Sequence, residues 1–116
     1  MIILGDIGNT VTKICFVKNN KIFKKILVPS IGKKNKILDK HFSKFQFSKL
    51  NKILFCSVVP SAFKEFKKYF SKKTKIKCFE LKELNLKSIL RINVNYKQVG
   101  SDRLANAISV SAENKN

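Results

Sequence analysis

Acidic residues are few in this sequence: seven aspartates and glutamates face 25 lysines and arginines, a formal net charge of +18 at pH 7. Arginine is rarer still, present only as Arg91 and Arg103. Base edges and phosphates are read best by the planar five-donor arginine fork, and the lysines are spread along the whole chain. The charge therefore reads as a solvated surface, and a nucleic-acid partner is not expected. Histidine occurs once, in Asp39-Lys40-His41, without a second histidine or a cysteine at ligand spacing, so His41 is expected at the surface and not on a metal. The three cysteines, Cys15, Cys56 and Cys78, are odd in number and have no CxxC spacing, which excludes a zinc site and a disulfide framework. Each lies in an apolar run and is expected as a buried, reduced thiol. No run of about 18 uncharged apolar residues is present, which excludes a membrane-spanning helix, and the start shows no cleavable signal pattern. A cytosolic location without membrane contact is the expectation.

What the chain does have is apolar patterning. Hydrophobic residues fill 44% of its 116 positions, ten of them phenylalanine, enough to bury one core in one domain. Ile2–Ile7, residues 11–17 and residues 22–28 read as three successive antiparallel strands. Asn19-Asn20 joins the second to the third, a pair that tolerates the positive φ of a hairpin turn. Pro29-Ser30-Ile31-Gly32 ends the meander. Within the lysine-rich residues 33–52, Ile37, Leu38, Phe42 and Phe45 recur at helical spacing, predicting an amphipathic helix over one sheet face. Residues 53–59, stopped by Pro60, predict a central strand buried on both faces. Ser61 is placed to cap a helix with the stripe Phe63, Phe66, Tyr69 and Phe70. A further strand is expected at 76–81, an extended segment at 86–94, and a helix at 101–111 with Leu104, Ala105, Ala107 and Ile108 inward. The fold class that follows is α/β, a mixed sheet with three N-terminal antiparallel strands followed by helix-strand-helix-strand-helix. That is the order of one ribonuclease-H-like lobe of the actin-like and sugar-kinase-like architecture.

With so few acids, the placing of each is informative. The first apolar run breaks at Asp6, Gly8, Asn9 and Thr10, and Lys13 follows in the next strand. That turn gathers backbone N–H groups, an amide, a hydroxyl, a carboxylate and a lysine, while Gly8 admits close approach because it has no side chain. The combination suits a phosphate with its metal ion. Asp102 lies in Val99-Gly100-Ser101-Asp102-Arg103-Leu104, where Gly100 permits close approach and Arg103 sets a rigid donor fork beside the carboxylate. If the sheet forms as predicted, the first turn and the end of the 53–59 strand share one rim, which the 100–103 loop can reach. A phosphate cradle beside a carboxylate able to deprotonate a hydroxyl describes phosphoryl transfer from a nucleotide to an alcohol.

Asp6-Ile7-Gly8-Asn9-Thr10 with Lys13, then Ser57-Val58-Val59-Pro60, then Gly100-Ser101-Asp102-Arg103-Leu104-Ala105-Asn106-Ala107, in this order, resemble the N-terminal half of type III pantothenate kinases. The resemblance implies transfer of the ATP γ-phosphate to the primary hydroxyl of pantothenate, the first step of coenzyme A synthesis. It implies ATP-phosphate binding by Asp6, Ile7, Gly8, Asn9, Thr10, Val11, Thr12 and Lys13, with Asp6 toward the metal. Gly100, Ser101, Asp102 and Arg103 would contact pantothenate, Asp102 acting as the base. Mg²⁺, a monovalent cation (K⁺ or NH₄⁺) and a homodimer are implied as well. Asn93 and Tyr96 stand where the family commonly has a tyrosine and a proline. The second half of the family fold, with its Gly-Thr-rich nucleotide motif and the acid for the monovalent cation, has no counterpart here, so residues 1–116 are expected to be an N-terminal lobe, inactive alone. The alternative expectation is a non-catalytic relative, an accessory protein whose basic surface meets acidic partners or nucleic acid.

Overall fold

The computed structural model describes residues 1–19 and 21–80. The first three apolar runs form β1 (Ile2–Ile7), β2 (Val11–Lys18) and β3 (Lys21–Pro29), paired antiparallel as a meander. Asn19 takes φ +53° at the second hairpin, a left-handed conformation that its short polar side chain tolerates. Next come α1 (Asn35–Phe42), a 3-10 turn at Phe47–Lys49, β4 (Lys52–Ser57), α2 (Pro60–Ser71) and β5 (Cys78–Glu80). β4 joins β1 in parallel and β5 joins β4 in parallel, so the strand order is β3-β2-β1-β4-β5. Parallel neighbours need a long crossover, and α1 and α2 provide the two. Up to β5 this is the order predicted for the lobe; the expectations for residues 86–94 and 101–111 fall outside the described residues.

Four boundaries depart from the sequence expectations, the simplest being the start of β5 at Cys78 and not at 76. Helix α1 stops at Phe42, so Phe45 follows it and meets Phe47 edge-on at 4.8 Å beside the core. Strand β4 ends at Ser57, whose hydroxyl donates to the Val59 carbonyl (2.9 Å) and accepts from the Val59 N–H (3.0 Å), turning the chain off the sheet. Helix α2 begins with Pro60 after Val59 as N-cap, and Ser61 is not the cap. Proline suits the first helical position because that N–H has no partner in any helix.

Both helices lie on one face of the sheet. Ile3, Ile7, Ile14, Phe16, Ile26, Val28, Ile53 and Phe55 point to that face and form one cluster with Leu38, Phe42, Ala62, Phe66, Tyr69 and Phe70. Burying each phenylalanine contributes about 1.5–3 kcal/mol before entropy is subtracted. The Phe55 ring lies across the backbone of Gly5, so that a Cβ at Gly5 would overlap its ring carbons. Lys34 ties α1 to α2: buried to 2% exposure, its Nζ reaches Glu65 Oε1 at 3.0 Å and lies 4.9 Å from the centre of the Phe66 ring. Tyr69 O–H donates to Asp39 Oδ1 at 2.7 Å, a second tie between the helices. The opposite face carries Leu4, Cys15, Leu54 and Cys56, also buried, so β4 is covered on both sides as predicted. At the outer end of the described strands, β3 exposes Lys21, Lys24 and Lys25.

All three cysteines are free and buried. His41 is half-buried on α1, less open than its polar neighbourhood implied. Burial pushes the Cys78 thiol from 9.0 up to about 12, and it raises Cys15 as well. Above pH 9 the unfolded chain releases a thiol proton that the folded chain keeps, which favours unfolding. The Cys78 contribution is therefore fully present below the unfolded pKa, and above it stability should fall by about 1.4 kcal/mol per pH unit for this one thiol. Urea denaturation at a series of pH values from neutral upward should show the decline, with a shallower slope in Cys78→Ala.

Candidate phosphate-binding site

The turn between β1 and β2 is built by its two flanking strands. Gly8 N–H donates to the Val11 carbonyl at 3.1 Å and closes the hairpin around Asn9 and Thr10, both exposed. Asp6 and Lys13 are register partners across β1 and β2, so their half-buried side chains stand on the same face, the one opposite α1 and α2. Ile7 pairs with Ser57 in β4, and the Val58 N–H donates to the Ile7 carbonyl at 3.1 Å. The turn, the end of β4 and the first residues of α2 thus share one rim, as the sequence predicted. From the other side, Ser30 N–H donates to the Thr10 carbonyl at 2.9 Å and brings the end of β3 to the same rim.

This arrangement gives an anion several partial positive charges. Asn9 and Thr10 have N–H groups without an acceptor among the described residues. Helix α2, with its positive dipole end, begins two residues after the Val58–Ile7 bond. Lys13 adds a full charge on the Asp6 face. The field is sensed nearby at Cys15, whose thiol is raised chiefly by burial, lowered by Lys25 and Lys13, and raised by Asp6. Among the described residues no group of three or more His, Cys, Asp or Glu side chains is placed to hold a metal. A single carboxylate at the rim suits Mg²⁺ in the manner of phosphate-transfer sites, in which the ion takes one or two carboxylates and fills its shell with phosphate oxygens and water. Among the described residues, Asp6 is the carboxylate at this turn.

The sequence-derived residues divide by their placement. Asp6, Gly8, Asn9, Thr10 and Lys13 are gathered at the turn. Ile7 and Thr12 are fully buried on the helix face, Ile7 in the core and Thr12 with its Oγ1 2.8 Å from Ser30 Oγ. Val11 exposes its side chain. Ser57 spends its hydroxyl on its own turn. Gly100, Ser101, Asp102 and Arg103 lie outside the described residues. Ser30 was not singled out from sequence; the signal for it was the hairpin register, which carries the residue after β3 past Thr12 to Thr10.

A family model described as type III pantothenate kinase matches residues 2–116. The type III pantothenate kinase of Pelagibacter ubique (strain HTCC1062) is 51% identical over 113 residues, which are 95% of this chain and 46% of that relative. The chain therefore spans about half the length of the curated relative it matches. With the Asp6-Ile7-Gly8-Asn9-Thr10 turn at the start of the matched region and Gly100-Ser101-Asp102-Arg103 near its end, the chain belongs to the type III pantothenate kinase family.

Proposed function

We propose that residues 1–116 are the N-terminal lobe of a cytosolic kinase that transfers the γ-phosphate of ATP to the primary hydroxyl of pantothenate, giving 4'-phosphopantothenate. The observation that carries the reading is the pairing of Asp6 with Lys13 beneath the open Gly8-Asn9-Thr10 turn, at the rim where β4 passes into α2. In this reading the Asn9 and Thr10 N–H groups, the Thr10 hydroxyl and Lys13 hold the phosphate oxygens, and the Asp6 carboxylate holds Mg²⁺. The bound ion supplies charge neutralisation on the phosphates. Gly100, Ser101 and Arg103 position pantothenate, and Asp102 accepts the proton of the attacking hydroxyl. The remaining half of the family's length supplies the adenosine site and the ligands of a K⁺ or NH₄⁺ ion, and the enzyme works as a homodimer.

The test joins this chain to the complementary half of the Pelagibacter relative and follows ADP release. ADP should appear only when pantothenate is present. A folded assembly that releases none, or releases the same amount without pantothenate, overturns the reading.

A further inference from the structure

Ser30 and Thr12 form a polar pair with no exposure to solvent, beside the apolar cluster on the helix face of the sheet. Their hydroxyl oxygens are 2.8 Å apart, so one hydroxyl donates to the other. Ser30 also donates its N–H to the Thr10 carbonyl at 2.9 Å. One residue after β3 thus grips the phosphate turn twice, at its backbone through Thr10 and at the base of its second leg through Thr12. Opposite it, the first leg is held by the Val58 N–H on the Ile7 carbonyl. Between these two clamps lie the Asn9 and Thr10 N–H groups.

We propose that Ser30 is a positioning residue for anion binding: through Thr12 and Thr10 it fixes the turn conformation that presents the Asn9 and Thr10 N–H groups to phosphate oxygens. The proposal rests on the reading of this turn as a phosphate site. A hydroxyl pair buried in a hydrophobic face loses its desolvation compensation if either partner is removed, and the turn then has a strong reason to shift. A merely structural serine would lower stability without a preference for the anion.

Inorganic triphosphate is the probe, titrated into the isotope-labelled chain at about 150 mM salt, where nonspecific attraction to the basic surface is screened. In the wild type, the Asn9 and Thr10 amide resonances should move with added triphosphate, and they should stop moving in Lys13→Ala. Ser30→Ala should weaken the apparent affinity by about five- to tenfold, the size of one lost hydrogen bond. Thr12→Val, which deletes the same contact from the other side, should weaken it similarly, and Ser30→Thr should restore it. Tyr69→Phe removes a hydrogen bond near the other end of α2 and serves as the control for general loosening; it should leave the affinity unchanged. Wild-type affinity in both Ser30→Ala and Thr12→Val overturns the proposal alone, and so does equal weakening in Tyr69→Phe. Unmoved Asn9 and Thr10 resonances in the wild type instead overturn the phosphate reading of the turn, and the proposal falls with it.

Discussion

Gly5→Ala should destabilise this fold by about 3 kcal/mol, at the upper end of what overpacking usually costs. The added methyl would overlap carbons of the Phe55 ring, which is fully buried. Phe66 stacks on that ring with centroids 5.4 Å apart, Phe70 lies at 6.1 Å and Phe63 at 6.3 Å. Where the packed rings do not give way, relief separates β1 from β4, and those strands hold Asp6 in register with Cys56. Thermal unfolding followed by circular dichroism should show a midpoint lowered by roughly 10–15 °C. Shortening the ring makes room, so Gly5→Ala with Phe55→Leu should be more stable than the sum of the two single losses. A Gly5→Ala midpoint within a degree of the wild type would refute the close approach.

In the assembled enzyme, Asp102→Asn should lower turnover by about 10²- to 10⁴-fold, the usual contribution of a positioned general base. The amide keeps the shape of the carboxylate and can still accept a hydrogen bond from the pantothenate hydroxyl. It cannot take the proton. The KM for ATP should stay near the wild-type value, because the phosphates are assigned to the Asp6–Lys13 turn. Steady-state ADP release with each substrate varied separates the two effects. Turnover within threefold of the wild type would remove Asp102 from the base role.

Much of the architecture was legible because the signals were long and local. β1, β2 and β4 are apolar runs bounded by glycine, asparagine or proline, and their order alone placed the first turn and the end of β4 at one rim. The errors fell where a short-range rule had two solutions. Pro60 and Ser61 each mark a helix start, and the proline prevailed because Val59 already occupies the capping position in an extended conformation. Phe45 continues the helical spacing of Phe42, yet the helix ends first and the ring meets Phe16 at 5.7 Å from outside it. Contacts between distant segments left no periodic trace. Nothing in the spacing of Lys34 marks it off from the other lysines, yet Glu65 and Phe66 surround its ammonium. Gly5 did carry a usable hint, since glycine inside a strand often marks a close approach, but only the β1–β4 register names Phe55 as the neighbour. The Gly8-Asn9-Thr10 turn was readable in outline from residue types, whereas the separation of Thr12 from Lys13 onto opposite faces depends on the pleat.

The lysines of β3 acquire a purpose from its place at the border of the described sheet. Phe23 and Leu27 stand exposed on this ribbon of backbone at the border of the described sheet. Lys21, Lys24 and Lys25 put repelling cations along that ribbon, and the irregular step between Phe16 and Val17 bends its pairing. Like charges along that border disfavour the pairing of one copy with the next.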